Sequence, residues 1–396
     1  MKISYNTHYK SKRPDGRHVS TMAAHMAWLR DFKPELSMPD NLTYDEFLNW
    51  KEKVREKVKQ LLCMPEFSVQ PDPKLLSRIK RNAYTVEKWE FYPDDYTAVP
   101  FLMLIPNGVT KKNPAPGVIC LPGSVHSKEF ISGEPLLPGA ACRFEKYPER
   151  NRMALYMVKA GMVAFAFDNP ETAECALEIE RDNDWGYTSR EQMCHGLIQS
   201  GLCYAGVSVF QKLAFMKFLK RLDFVDQTRL AVSAHSLGAT DALFLGILRD
   251  EFKAVVFNDF VCDERHRYVS TTEYDETKMC NNNGNWHEIP GIFRYFSRTD
   301  LLGALAPKYL SLNEGGAEVY LDKVRAAYSV NYASDRLWIS HYPKYSDADI
   351  RSKIYDAPMY GLSSDAYFEF NNVDASDHSF RKDTSVDFLK TVFFGK

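Results

Sequence analysis

The pattern of apolar and polar positions changes character along the chain. Residues 1 to about 80 read as mostly helical. The segment opened by Leu42-Thr43-Tyr44-Asp45-Glu46-Phe47 and running to Leu62 has the spacing of a charged amphipathic helix. Residues 83–91 (Ala83 to Phe91) then alternate at period two, and the apolar run Val99 to Pro106 follows. With Tyr92-Pro93-Asp94-Asp95 between them, these two runs predict an antiparallel pair. From residue 115 onward, short uninterrupted apolar runs alternate with helical spacing. Predicted strands begin at Gly117, Met162, Leu230, Ala254, Tyr309 and Leu337, and predicted helices lie near 148–160, 207–222 and 386–394. Strands apolar on both faces, alternating with helices, predict a mostly parallel sheet covered on both sides. The expected class is therefore α/β, with a helical extension over 1–80 and one catalytic domain over 81–396. Three stretches fit neither period, at 170–204, 262–290 and 344–377. Such excursions at the carboxyl ends of strands are expected to shape a pocket.

One of the buried runs carries candidate chemistry. Arg229-Leu230-Ala231-Val232-Ser233-Ala234-His235-Ser236-Leu237-Gly238-Ala239 reads as a strand, a break at small residues, and a helix start. That is the setting of a nucleophile elbow, a turn so tight that the residues flanking the serine must be small. The usual G-x-S-x-G pattern here has Ala234 in place of the first glycine. Ser236 is the candidate nucleophile.

A serine needs a base and a carboxylate that orients it, expected in the order Ser, acid, His. Two histidines follow Leu312. His341 lies within an apolar run and suits a strand, whereas His378 lies in the polar loop Asp374-Ala375-Ser376-Asp377-His378-Ser379-Phe380 before the last helix. His378 is the expected base. Three carboxylates compete to orient it. Glu318, at the turn into a helix, is favoured over Glu314, closer to the strand end, and over Asp259, one strand earlier. Two backbone N–H groups should hold the oxyanion. Leu237 follows the nucleophile; in the turn Pro122-Gly123-Ser124-Val125-His126, Pro122 has no N–H, so the second donor is Ser124 or Gly123, with Ser124 favoured. His235 and His126 flank this site, and His235 is expected to pack beside the elbow rather than transfer protons. Trp185 and Trp286, in the irregular excursions, are candidate pocket walls or core residues.

Composition narrows the field. The formal net charge of −2 lacks the basic excess of a broad nucleic-acid or anionic-membrane surface. No stretch is apolar and long enough to span a bilayer, and the amino terminus lacks the apolar core of a secretory signal. The eight cysteines are scattered, with no C-x-x-C pair, which suggests reduced thiols and a cytoplasmic location. Cys262, Asp263 and His266 match no zinc spacing, and no phosphate loop or dinucleotide fingerprint is present, so neither metal nor cofactor is expected. Oligomeric state is not legible.

Taken in order, Ala234-His235-Ser236-Leu237-Gly238, Leu121-Pro122-Gly123-Ser124, Leu305-Ala306-Pro307, Glu314-Gly315-Gly316-Ala317-Glu318, His341-Tyr342-Pro343-Lys344 and Asp377-His378-Ser379-Phe380 resemble the acetyl xylan esterase-like α/β-hydrolases, relatives of the dienelactone-hydrolase group. The resemblance covers roughly residues 80–396. It implies a Ser–acid–His esterase acting on small acyl esters, often acetyl, of carbohydrates. It also implies Glu318 as the acid, at the position of the aspartate in the family's Gly-Gly-Leu-Asp pattern. Glu318 for Asp, Ala317 for Leu and Ala234 for Gly are departures. The rival readings are a peptidase or thioesterase with the same triad and a catalytically silent hydrolase-fold binding protein.

Overall fold

The computed structural model describes residues 3–4, 11–65, 72–137, 149–180, 187–270, 273–274, 284–352 and 364–395. Its strands, in chain order, are Ile3–Ser4 (β1), Lys74–Lys80 (β2), Tyr84–Phe91 (β3), Val99–Pro106 (β4), Ala115–Leu121 (β5), Val163–Phe167 (β6), Val225–His235 (β7), Phe252–Asn258 (β8), Glu273–Tyr274 (β9), Tyr309–Leu312 (β10) and Leu337–Ile339 (β11). β1 and β9 form a separate antiparallel pair, and the other nine make one sheet in the order β11-β10-β8-β7-β5-β6-β4-β3-β2.

From β11 to β6 neighbouring strands run parallel, while β6, β4, β3 and β2 pair antiparallel. All of β5 and β6 is buried, as an interior parallel strand requires. The alternating run at 84–91 and the run at 99–106 pair in full register, from Tyr84 opposite Pro106 to Phe91 opposite Val99.

The amino-terminal region differs from the helical expectation. Lys74–Lys80 is an antiparallel edge strand on β3, exposed along most of its length. Only Ile79 of this strand packs on the core, so it has no apolar alternation to display, and its lysines and arginine suit an edge that must not recruit other strands. The helix Tyr44–Leu62 forms as expected. Thr43 and Glu46 close a capping box at its start, and Phe47, Trp50, Val54, Val58 and Leu62 are buried in the main core. This helix is thus part of the same hydrophobic core as the sheet, whereas Ala23 and Met26 of the helix Thr21–Asp31 pack in a separate small cluster against Tyr268.

Helices cover both sheet faces. The helix Leu237–Leu248 packs on β7 and β8, and the helix Lys382–Phe394 packs near β8 and β10. Among the described residues, no single helix is long and apolar enough to cross a membrane. The carboxyl ends of β5, β6, β7, β8 and β10 lie side by side, and the candidate chemistry converges there.

Candidate active site

Ser236 stands where β7 ends and the helix Leu237–Leu248 begins, with φ 53° and ψ −118°. A non-glycine residue rarely adopts this conformation, and it survives only where its surroundings impose it. Three features impose it here. The Ser236 N–H donates to the Asn258 carbonyl at 3.0 Å, and the Gly238 N–H donates to the Pro122 carbonyl at 3.1 Å. Gly238 lies so close to β5 that a Cβ there would come within 2.6 Å of the Leu121 carbonyl oxygen. Ala234, in register with Leu121 on one side and Phe257 on the other, places its methyl in the main core. The departure from glycine at that position therefore costs no close approach.

The expected base lies beside the elbow. The polar loop reaches His378 through a short turn at Ala375–Asp377. Its ring centroid is 4.7 Å from that of His235, with the planes 33° apart. Asn258, wholly buried at the end of β8, ties this loop to the elbow. Its carbonyl accepts from Ser236, its side-chain amide donates to the Ser379 carbonyl at 3.1 Å, and its side-chain oxygen accepts from the Arg381 N–H at 2.6 Å.

The carboxylate that meets His378 is Glu314, not Glu318. Glu314 Oε2 lies 2.7 Å from His378 Nδ1 and also accepts from the Tyr342 hydroxyl at 2.8 Å. Glu314 Oε1 accepts from the Ser379 N–H at 3.1 Å, and the side chain is completely buried. The physical reason is the pair of glycines between the two candidates. Gly315 at φ 62° and Gly316 at φ 157° turn the chain, and a Cβ at either would collide, with His341 or with the Val261 carbonyl. Glu314, two residues past β10, stays on the site side of that turn. Glu318, the first residue of the helix Glu318–Val330, is carried to Arg325 at 2.8 Å and Arg351 at 3.2 Å. Asp259 pairs with Arg298 at 3.1 Å. His341 lies two residues beyond β11 rather than within it, and its Nε2 is 3.0 Å from Arg351 Nη1. Burial, reinforced by Arg351, lowers its pKa to about 4.

These surroundings set the protonation of the imidazoles. Burial pushes the His378 pKa down, but the Glu314 carboxylate more than reverses this by charge and hydrogen bond. Asp259 adds to the rise, and the pKa ends near 9. His235 is held well below the ordinary histidine value by burial, then by His378, His126 and Arg381, so it stays neutral. Both of its ring nitrogens are buried without a hydrogen-bond partner among the described residues. It serves as packing between the turn at Gly123 and the His378 ring, and a Cβ on Gly123 would sit 3.0 Å from its Nδ1.

The turn Pro122–Ser124 arches over the elbow, with the space a Gly123 Cβ would fill lying 3.4 Å from the Ser236 Cβ. Leu237 packs with Tyr204 and Cys194 in a small cluster that Trp286 joins, and Trp286 stacks on the Arg190 guanidinium at 4.8 Å. Trp185 lies outside the described residues. Nearby, a cavity of about 540 Å³ lies between the helices Thr21–Asp31 and Leu237–Leu248 and the excursion that follows β8. Its walls include Trp28, Thr240, Phe244, Arg267 and His287, but not Ser236, Glu314 or His378. Thr240 is one helical turn past Ser236.

Asn258 and Glu314 thus hold an imidazole and a buried carboxylate near a strained serine at the carboxyl edge of a parallel sheet. The strand–turn–helix on which that serine sits, within a mostly parallel sheet covered by helices, is the architecture of the α/β-hydrolases. The chain belongs to the Abhydrolase family, whose model matches residues 3–391. It is similar to a candidate acetyl xylan esterase from Bacteroides fragilis, with 32% identity, 97% of this chain and 98% of that one covered, and a TM-score of 0.89. The fold is shared with a methylesterase at 15% identity, TM-score 0.58, covering 93% of this chain and 67% of that one. It is also shared with a glucuronoyl esterase from Solibacter usitatus at 14% identity, TM-score 0.53, covering 91% and 97%. Among curated proteins, none matches the chain.

Proposed function

We propose that the protein is a serine esterase that removes small acyl groups, acetyl foremost, from carbohydrate esters. The observation that carries this reading is the 2.7 Å contact between Glu314 and His378 beside the strained Ser236 elbow. Glu314 holds the Nδ1–H, which leaves Nε2 as the basic nitrogen. His378 takes the hydroxyl proton as Ser236 Oγ bonds to the acyl carbon. The tetrahedral oxyanion is held by the N–H groups of Leu237 and of the 122–124 turn. As the intermediate collapses, the bond to the sugar oxygen breaks and that oxygen takes the proton from His378. Water, deprotonated by His378, then releases the acid and restores Ser236. The carbohydrate part of the reading is supported by the likeness to the Bacteroides fragilis protein over nearly the whole of both chains.

A panel of short-chain nitrophenyl esters, acetylated xylo-oligosaccharides, matched amides and thioesters tests the reaction. The account expects turnover of the esters, loss of that turnover in Ser236→Ala, and little action on amides. Turnover retained in Ser236→Ala would reject Ser236 as nucleophile, and preference for thioesters or amides would favour the rival hydrolase readings.

A further inference from the structure

The N–H groups proposed to receive the oxyanion belong to a loop, and a loop must be held if its donors are to be preorganised. The side chain of Asn169 meets this need. It is buried to 1% exposure two residues beyond β6, beside the carboxyl end of β5. Its Nδ2 donates to the Pro122 carbonyl at 3.0 Å and to the Gly123 carbonyl at 3.1 Å. Two acceptors at one position admit only the nitrogen of the amide there, which fixes the side-chain orientation.

The consequence is geometric. In a planar trans peptide, C=O and N–H point in opposite directions. Drawing the Pro122 and Gly123 carbonyls toward Asn169 turns the Gly123 and Ser124 N–H groups away from it. The Pro122 carbonyl also accepts from Gly238, so Asn169 and the elbow helix share one acceptor. The next carbonyl, of Ser124, accepts from the buried Arg190 at 3.2 Å.

Asn169 is itself immobilised on both sides. The Asp168 carboxylate accepts from the Lys128 N–H at 2.6 Å and from Lys128 Nζ at 2.8 Å. The Pro170 carbonyl accepts from the Tyr204 hydroxyl at 2.7 Å. Lys128 opens the short helix Lys128–Ile131, four residues past Ser124, so the chain is also held beyond the donors.

We propose that Asn169 is a positioning residue that fixes the peptide planes of the 122–124 turn and so sets the oxyanion donors of the esterase. It touches no reacting atom. This inference rests on the serine-esterase reading above.

The test pairs Asn169→Leu, which keeps the volume and removes both donors, with Asn169→Ser, which leaves room for a bridging water. For each folded variant, kcat and KM for a short ester are measured, with the inhibition constant of a boronic acid that forms a tetrahedral adduct on serine. The pH profile is recorded as well. The expected result is a kcat loss of roughly 10- to 100-fold in Asn169→Leu, as a displaced donor gives. KM should stay within about twofold and the boronate constant should weaken by a similar factor. Asn169→Ser should fall between Leu and wild type. The acid limb of the pH profile should not move, since the His378–Glu314 pair is untouched.

A merely structural role would lower thermal stability and leave kcat of the folded protein within about threefold of wild type, which overturns the proposal. A loss confined to KM, or a shifted acid limb, overturns it too. If wild type neither turns over esters nor binds the boronate, the esterase reading fails and takes this inference with it. If wild type is active and Ser236→Ala is not, while both Asn169 variants match wild type, this inference alone fails.

Discussion

Replacing Glu314 by Gln and, separately, Glu318 by Gln separates the two carboxylates by chemistry. In Glu314→Gln the shape is kept and the charge is lost. Glu314 accepts three hydrogen bonds, from His378 Nδ1 and Tyr342 at one oxygen and from the Ser379 N–H at the other. A glutamine offers one oxygen, so one side must turn an NH₂ group toward donors. A lost charge-assisted bond and a buried donor left unmet each cost about 1–3 kcal/mol. The imidazole would also lose its oriented tautomer, for which a kcat loss on the order of 10²- to 10⁴-fold is expected.

The pH dependence has a definite direction. Glu314 raises the His378 pKa to about 9, so the base of the free enzyme is liberated as pH rises through that value. Removing the charge should move the acid limb of kcat/KM to lower pH. The stabilising effect of the pair follows the same logic. It is complete below the unfolded imidazole pKa of about 6.5 and fades as pH rises through about 9. Glu314→Gln should therefore lose most stability, relative to wild type, on the acidic side of that window. Glu318→Gln breaks only partly exposed pairs with Arg325 and Arg351, worth about 0–1 kcal/mol, and should leave kcat within about threefold. Initial rates between pH 6 and 10, with urea denaturation at two pH values, read all of this. A larger kcat loss in Glu318→Gln, or an acid limb that stays in place in Glu314→Gln, would refute the assignment.

Other substitutions test the frame. Gly238→Ala places a methyl against the Leu121 carbonyl, and urea denaturation should show a loss of about 1–3 kcal/mol with collapse of ester turnover. Asn258→Leu leaves the Ser379 carbonyl and the Arg381 N–H unmet, so stability should fall by about 2–4 kcal/mol and kcat with it. Lys128→Met leaves the buried carboxylates of Glu129 and Asp168 around a vacated ammonium position, while Glu174 keeps its 2.8 Å pair with Lys88, and calorimetry should show a loss of about 3–5 kcal/mol.

The central sheet was readable because parallel strands buried on both faces leave continuous apolar runs, as at 117–121 and 163–167. The elbow was readable because crowding restricts residue types locally, as at Gly238, where a Cβ would meet the Leu121 carbonyl. Lys74–Lys80 was not, since an edge strand in water carries no apolar period. The carboxylate that meets His378 lies four residues before the one expected, because position along the chain does not report direction. The Gly315-Gly316 turn decides which carboxylate stays with the site, and the family pattern pointed past it. Asn169 and Asn258 left no trace in the sequence. Their partners are backbone atoms 47 and 121 residues away, and a backbone carbonyl is the same on every residue.

The proposed chemistry stands or falls with Ser236 as the nucleophile and His378 as its base. Reaction of the folded protein with a fluorophosphonate, followed by peptide mapping with mass spectrometry, tests it most directly. The expected result is one covalent phosphonate per chain on the peptide holding Ser236, formed far more slowly in His378→Ala and absent in Ser236→Ala. A wild-type protein that stays unlabelled, or one labelled at another residue while Ser236 remains free, would contradict it.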